Sequence, residues 1–253
     1  MAGASCSSVY PDIRMTVAKL RRELAAAGDP RRAASAVWFF KTGKGQYGEG
    51  DRFIGVPVPE LRKIALRYTH LSLADLRRVL ASKTHEHRAA ALEILVAQCK
   101  SADAAGRQAI FDFYLANTAG INNWDLVDVS ARDIVGGHLL KRDKKILYRL
   151  ARSANLWERR IAIIATLKFL KAGRTIETFR LAKMLLADPH DLIHKAVGWA
   201  LREAGKVSSA ELRKFLEVNY EAMPRTALRY AIERFSPAER KRLLAGDFLS
   251  PNS

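Results

Sequence analysis

Asp128 is the residue of this sequence whose type and surroundings are best suited to chemistry. It ends the segment 122–128, in which Trp124 precedes it by one helical turn. A carboxylate in a region rich in Arg and Lys serves either as an ion-pair partner or as a reactive centre, and both interpretations stay open here. Asp125 lies beside Trp124 on another helical face, so helix capping or stabilisation of the helix dipole is its expected role.

Asp128 and Trp124 belong to a pattern that recurs along the chain. At intervals in the mid-thirties, an apolar helix follows a turn and begins with a cation, or in one case with a tryptophan. The equivalent positions are Arg88, Trp124, Arg160, Lys195 and Arg225. Residues four positions later share the same helical face, which adds Asp128, Trp199 and Arg229; Arg202 follows Trp199 by three positions. A period of this size, built from two short helices, is typical of a helical solenoid with a concave groove.

This ladder of positions predicts a cationic groove that binds a phosphate backbone, because cations and helix N-termini both favour phosphate. Two other interpretations remain. Recurring Arg or Lys is also typical of a solvated structural face, and Trp124 and Trp199 could be core residues. Trp124 at a cation position, and Trp199 on one face with Lys195, favour the groove.

Composition supports a polyanionic partner. The chain has 253 residues, with 43 Lys and Arg against 26 Asp and Glu, a net charge of +17 and a pI near 10.2. Nucleic acid is the first candidate and an anionic membrane surface the second. Hydrophobic residues make up 49% of the chain, which is enough for a sizeable core and excludes a disordered protein.

The elements that must position these residues are helices throughout. Apolar residues recur at helical spacing and alternating strand patterns are nearly absent, so we predict an all-α chain. Ser208 with Glu211 and Ser236 with Glu239 have the spacing of a capping box. Helix breaks are predicted at 188–189, Gly173, Gly205 and 223–224. We expect one helical-repeat domain over 1–253, with repeats over roughly 55–235 and disorder at 1–10 and 250–253.

Other chemistries find little support. Residues 43–48 match a dinucleotide-binding glycine pattern, but no strand precedes them and no helix follows, so a loop near phosphate is the better interpretation. Six histidines and two cysteines, Cys6 and Cys99, leave no metal-binding constellation, and we predict neither metal nor cofactor. The absence of long apolar windows and the low cysteine content predict a cytoplasmic protein with no membrane association.

Several segments taken together resemble the AlkD family of DNA alkylation repair glycosylases. The segments 123–128, 157–162 and 195–203 resemble the signature segments of that family, and 39–62 resembles its N-terminal region. The matches extend over about 35–235, and their order along the chain is more specific than any one of them.

The resemblance implies a HEAT-like helical-repeat solenoid that wraps duplex DNA. It implies a monofunctional, monomeric glycosylase that hydrolyses the N-glycosidic bond of cationic N3- and N7-alkylated purines. It implies Asp128 as the catalytic carboxylate, Trp124 and Trp199 as the walls around the deoxyribose of the lesion, and Arg160 as a backbone contact. Trp38 and Phe39 are expected as further DNA contacts. The alternatives are a non-catalytic relative that binds branched or distorted DNA, and a helical-repeat scaffold for protein or RNA.

Overall fold

The computed structural model describes residues 16–248, and the predicted disorder at 1–10 and 250–253 lies outside them. Within that range the chain is an all-α helical-repeat protein, as predicted, and its one β-type contact is an isolated bridge between Arg52 and Thr84. The chain divides into two compact units, one up to Ile94 and one from Leu95 onward. The prediction of a single domain stays a prediction, and each unit is described by itself.

The first unit holds four helices and the first part of a fifth: α1 (Val17–Ala26), α2 (Pro30–Phe39), α3 (Val58–Leu66), α4 (Leu73–Leu80) and α5 (His85–Ser101). Asp29 caps α2, its Oδ1 accepting a hydrogen bond from the backbone N of Arg31 at 2.8 Å. Pro30 follows at the first helical position, where its missing N–H costs nothing.

The loop between α2 and α3 contains the glycine-rich segment 43–48, which forms turns. A helix rather than a strand precedes it, so the strand–loop–helix arrangement of a dinucleotide site is not present there. Its end is fixed to α5, because Glu86 accepts hydrogen bonds from the backbone N of Ile54 at 3.1 Å and of Gly55 at 2.7 Å. Gly55 has a φ of 78°, and a Cβ there would lie 2.1 Å from the Asp29 carbonyl oxygen, so only glycine fits.

The second unit continues with helices α6 (Ala104–Ala116), α7 (Trp124–Ala131), α8 (Gly137–Leu139), α9 (Lys145–Ala151), α10 (Leu156–Ala165), α11 (Leu167–Lys171), α12 (Ile176–Leu185), α13 (Asp191–Val207), α14 (Ser209–Asn219), α15 (Arg225–Ala231) and α16 (Pro237–Leu244). Short 3-10 turns lie at Thr118–Gly120 and Tyr220–Ala222. In this unit α10 packs between α7 and α13, and α13 packs against α15. Helix α9 packs against α10, and α12 packs against α13, so these two repeats are pairs of helices.

Most of the predicted helix boundaries are confirmed. The hydroxyls of Ser208 and Ser236 accept hydrogen bonds from the backbone N of Glu211 and Glu239, each at 3.3 Å. Turns also separate helices at Gly173, 188–189 and 223–224. The predicted break at Gly205 is wrong, because Gly205 lies inside α13. A Cβ there would lie 2.5 Å from Leu212 Cδ2, so this glycine allows α14 to approach closely rather than ending the helix.

A π-helical segment, Arg132–Gly136, joins α7 to α8 without interrupting the helix. A Cβ on Gly136 would lie 2.2 Å from the carbonyl oxygen of Ala165 at the end of α10. The absence of a side chain at Gly136 therefore permits the close approach of the two helices about two turns beyond Asp128.

Candidate active site

Asp128 and Arg160 form a bidentate ion pair between α7 and α10. Arg160 Nε donates to Asp128 Oδ1 at 2.9 Å, and Nη2 donates to Oδ2 at 2.8 Å. Arg160 Nη1 donates to the carbonyl oxygen of Leu192 in α13 at 2.6 Å. One guanidinium thus connects three helices that pack side by side, α7, α10 and α13, and fixes the plane of the Asp128 carboxylate.

The two partners of this pair differ in their exposure. The side chain of Arg160 is 6% exposed, whereas that of Asp128 is 19% exposed. All three guanidinium nitrogen atoms of Arg160 donate hydrogen bonds within the protein, and its predicted contact with a DNA phosphate stays a prediction. Asp128 is therefore the member of the pair that an incoming group meets first.

Burial raises the pKa of Asp128 above the ordinary aspartate value. The hydrogen bonds and the charge of Arg160 act in the opposite direction, and the charge of Asp125 raises the pKa further. Asp125 was expected to act at the helix terminus, and it does lie in the first turn of α7. Its electrostatic effect on Asp128 was not predicted.

Trp124 begins α7 and precedes Asp128 by one turn. The buried Asn123 caps the helix, its Oδ1 accepting a hydrogen bond from the Trp124 backbone N at 2.8 Å. The side chain of Trp124 is half-buried, so part of its ring faces solvent on the turn that leads to Asp128. The Asn123 cap thus fixes Trp124 as the first residue of α7, which places Trp124 one turn before Asp128 on the same helical face.

Lys195 lies on α13 and is held by Asp191 one turn earlier, with 2.8 Å between Lys195 Nζ and Asp191 Oδ2. Burial acts to raise the pKa of Asp191, but hydrogen bonds from Lys195 and Thr226 bring it below the ordinary value. The cation that the repeat pattern places at position 195 is therefore part of an ion pair with Asp191. The four-residue spacing of Asp191 and Lys195 is a signal by which the sequence could have revealed this pair.

Trp199, one turn further along α13, lines a cavity together with Arg132. Arg132 follows Asp128 by four residues on the continuous α7 segment, so the cavity continues the helical face that carries Asp128. The ring of Trp199 is half-buried rather than enclosed in the core.

The remaining predicted cations of the second unit have different surroundings. Arg202 is half-buried and forms ion pairs with Glu233 and Glu203. Arg225 is exposed, and its Nη1 donates to the carbonyl oxygen of Leu244 at 2.9 Å. Arg229 is exposed on α15.

Arg88 lies in the first unit and is buried. Its Nη2 donates to Asp51 Oδ1 at 2.7 Å, and Nη1 donates to the Ser82 carbonyl oxygen at 2.8 Å. His85 Nδ1 lies 3.1 Å from Asp51 Oδ2, and all three of these side chains are 4% exposed. Arg88 would have to leave Asp51 to reach a phosphate, so its predicted contact with DNA is unsupported by this geometry and stays untested.

Asp51 is a structural residue that sequence reasoning missed. Burial acts to raise its pKa, but the His85 hydrogen bond and the charge of Arg88 together hold it below the ordinary value. Asp51 lies in the long loop before α3, where no periodic pattern relates it to α5, so no sequence signal could have paired it with Arg88.

Trp38 and Phe39 are exposed at the end of α2, by 74% and 54%. Lys41 Nζ lies 4.5 Å from the centroid of the Trp38 ring, a cation–π contact. Phe40 instead stacks on Phe53 with a centroid separation of 5.0 Å. Two aromatic rings are thus presented to solvent beside a cation, while the third stabilises the loop; the predicted DNA contacts stay predictions.

No group of three His, Cys, Asp or Glu side chains suited to hold a metal ion is found among residues 16–248. Over the same range no helix is long and apolar enough to cross a membrane.

With this geometry in view, comparison with known proteins defines the class. Residues 20–235 match the sequence model of the family described as DNA alkylation repair enzyme, and the chain belongs to that family. Membership of this family supports a role of the protein in the repair of alkylated DNA.

Among solved structures, the chain is similar to one described as a predicted DNA alkylation repair enzyme from Enterococcus faecalis. The TM-score is 0.64 at 16% identity, over 83% of this chain and 97% of that one, which shows a shared fold. None of the curated proteins compared with this chain matches it.

Proposed function

We propose that this protein is a monofunctional DNA glycosylase that hydrolyses the N-glycosidic bond of cationic N3- and N7-alkylated purines in duplex DNA. The observation that carries the proposal is the Asp128 carboxylate, partly exposed at 19% and held in a fixed plane by the 6% exposed Arg160. We further propose that it acts as a monomer in the cytoplasm, without metal or cofactor.

The substrate makes one carboxylate sufficient. A purine alkylated at N3 or N7 already carries a positive charge, so the C1′–N bond can break without protonation of the base. The electron pair of that bond goes to the base nitrogen and neutralises the ring, and the positive charge moves to C1′ and the ring oxygen of the sugar. The general acid that most glycosidases need is therefore dispensable.

Asp128 would stabilise this oxocarbenium ion and orient the attacking water. A carboxylate has about four lone-pair positions, and Arg160 occupies two of them, so acceptor capacity remains on the Asp128 oxygens. Water adds to C1′ and loses a proton to Asp128 or to solvent, which gives an abasic site and a neutral alkylpurine. A carboxylate held in one orientation needs little reorganisation as the charge develops.

Trp124 and Trp199 would contribute to the same step. Both rings are half-buried, and each belongs to a helix that Arg160 contacts. The electron-rich face of a tryptophan favours a desolvated cation by about 1–2 kcal/mol.

The experiment is to incubate the protein with methylated duplex DNA and measure released 7-methylguanine and 3-methyladenine, alongside DNA binding. Asp128→Asn should bind DNA as the wild type does and release no base, since the amide keeps the shape and loses the charge. Asp143→Asn is the matched control, because the side chain of Asp143 is 63% exposed and pairs only with Lys145 among residues 16–248.

A second function has one observation in its favour. Arg160 engages both oxygen atoms of Asp128, which is also the arrangement of a purely structural ion pair. A non-catalytic protein that binds branched or distorted DNA would therefore keep the pair. Binding without base release by the wild type would favour that function, and release retained by Asp128→Asn would remove Asp128 from the mechanism.

A further inference from the structure

Helix α9 and the turn before it form a strongly cationic surface that the proposed function does not use. Residues 141–152 contain six Lys and Arg residues and one acid, Asp143. Helix α9 packs against α10 and α12, whereas Asp128, Arg160 and Lys195 lie on α7, α10 and α13. The charge of α9 therefore belongs to a different row of helices from the charges around the candidate active site.

A cavity of about 870 Å³ opens beside α9. Lys145, Tyr148 and Arg152 line it, and Leu115 and Leu150 contribute apolar walls. The first three follow each other at spacings of three and four residues, so a cation lies one helical turn before the tyrosine ring and another lies one turn after it. The volume is within the range of ligand sites, about 300–1,000 Å³.

The two cations of this stripe are accessible to a ligand. Arg152 is exposed and forms no ion pair within the part of the chain that the structure describes; its Nη1 donates to the Tyr148 carbonyl oxygen on its own helix at 3.3 Å. The side chains of Lys145 and Asp143 form an ion pair but are 92% and 63% exposed, so water and salt screen it. Arg160, by contrast, is 6% exposed and donates hydrogen bonds from all three guanidinium nitrogen atoms.

The other polar groups at the cavity leave it cationic. Glu158 is an acid in its lining, and Thr118 Oγ1 donates a hydrogen bond to Glu158 Oε1 at 2.8 Å. Tyr148 Oη donates to Glu177, which fixes the ring on the helix surface. Burial and this hydrogen bond raise the pKa of Tyr148, so its phenol is neutral at pH 7. A fixed, neutral aromatic ring thus lies between two cations.

This arrangement suits a strand of nucleic acid. Lys145 and Arg152 are seven positions apart, which is about 10.5 Å along a helix, and a stacked strand rises about 3.4 Å per nucleotide. The two cations therefore span about three nucleotides. Sites for single strands combine such cations with aromatic rings on which bases stack, and the bases of an intact duplex are not available for such stacking.

We infer that the α9 cavity is a second nucleic-acid site, which binds single-stranded DNA with its phosphates at Lys145 and Arg152 and a base against Tyr148. The inference goes beyond the proposed function, because this strand is separate from the duplex that meets Asp128. The protein can then hold an unpaired strand and a duplex at the same time.

The first test measures strand binding while the duplex site is filled. The protein is saturated with an unlabelled duplex that contains a tetrahydrofuran abasic analogue, and a labelled oligothymidylate is titrated by fluorescence anisotropy. The double variant Lys145→Gln/Arg152→Gln should weaken oligothymidylate binding about tenfold and reduce the slope of log affinity against log salt concentration by about 1.4, since each contact with a single strand contributes about 0.7.

The control for this variant is Lys183→Gln/Lys214→Gln. Both lysines are exposed, on α12 and α14, and neither lines the cavity. The control removes the same net charge and should bind the oligothymidylate with nearly the affinity and slope of the wild type. Thermal melting of both double variants establishes that folded proteins are compared.

The second test separates stacking from charge. Tyr148→Leu removes the ring and should weaken oligothymidylate binding about tenfold with an unchanged salt slope, because stacking releases no counterions. Tyr148→Phe keeps the ring, loses the hydrogen bond to Glu177, and should bind nearly as the wild type does.

Several results would overturn the inference. The duplex-saturated protein binds no oligothymidylate, or the two double variants bind it equally well. A second duplex that binds as tightly as the single strand shows that no base enters the cavity. Displacement of the strand by an equal concentration of thymidine monophosphate assigns the cavity to a free nucleotide.

These measurements are independent of base release. If the wild type releases no alkylpurine but the α9 variants lose strand binding as described, the proposed chemistry fails and the second site stands. If the wild type releases base and Lys145→Gln/Arg152→Gln binds the strand normally, the chemistry stands and the second site fails.

Discussion

Arg160 Nε and Nη2 donate hydrogen bonds to the two carboxylate oxygen atoms of Asp128 at 2.9 and 2.8 Å, while Nη1 donates to the Leu192 carbonyl oxygen. A carboxylate on α7 is thereby fixed by a cation on α10 that is itself anchored to α13. Removing one partner of a buried pair costs about 3–5 kcal/mol, so this contact also contributes to the packing of the three helices. In the proposed mechanism Arg160 is a positioning residue, and Asp128 is the group that meets the substrate.

Arg160→Gln should shift the pH dependence of base release. Arg160 lowers the pKa of Asp128 against the raising effect of burial, so its removal raises that pKa further. Asp128 must be ionised to act, and the acidic limb of the rate profile should therefore move to higher pH. Single-turnover release of 7-methylguanine, measured across the pH range in which melting shows a folded protein, gives the profile.

Two controls separate this role from a phosphate contact. Arg160→Lys keeps a charge without the bidentate geometry and should move the limb less, and Arg149→Gln, at an exposed position of α9, should leave it in place. A decrease in the salt dependence of binding without a pH shift would instead support the contact with the DNA backbone.

Neutral modified purines should be poor substrates. Without a charge on the purine the leaving group needs a proton donor, and the mechanism through Asp128 supplies none. Release of 1,N6-ethenoadenine or hypoxanthine should fall at least a hundredfold below that of 7-methylguanine in matched duplexes. Efficient release of either neutral base would show that a general acid operates.

Trp38→Ala should weaken DNA binding several-fold and leave stability nearly unchanged. The ring is 74% exposed, so its loss changes the free energy of unfolding by less than about 0.5 kcal/mol. The loss of affinity follows from the loss of an exposed aromatic surface beside Lys41. Fluorescence anisotropy with labelled duplex and urea unfolding measure the two effects; Val58→Ala, at a 63% exposed position of the same unit, serves for comparison.

Arg88→Met should destabilise the protein by about 3–5 kcal/mol, because it leaves the buried Asp51 carboxylate without its guanidinium partner. The pKa of Asp51 is held below its ordinary value in the folded state, so the stabilisation is present above the unfolded-state pKa of about 4 and is lost as the pH falls through the folded-state value. Urea unfolding at pH 7 should therefore show a larger difference than at pH 3.

The exposed Arg22 provides the reference substitution Arg22→Met, which should change stability little. If Arg88→Met instead unfolds like the wild type and binds DNA weakly, Arg88 is a DNA contact and the ion pair is unimportant.

Sequence alone determined the features that depend on local order. The helical class follows from apolar periodicity, and the caps at Ser208 and Ser236 from spacings of three residues. The equivalence of Trp124, Arg160 and Lys195 follows from the repeat period, and the structure places all three in the first two turns of a helix. Apolar periodicity, cap spacing and repeat period can all be read from a single sequence, because each is a spacing between residue types along the chain.

Tertiary structure decided which charges meet and which face solvent. The repeat pattern places Arg88 and Arg160 at equivalent positions but does not say that Arg88 is buried against Asp51 or that Arg160 is paired with Asp128. The role of Gly205 also depends on tertiary structure. A glycine can end a helix, but Gly205 lies inside α13 and allows Leu212 to pack closely against it. The partners of Arg88 and Arg160 lie 37 and 32 positions away along the chain, and their approach is set by packing that no local pattern encodes. The pair of Asp191 and Lys195, four residues apart, is the local exception.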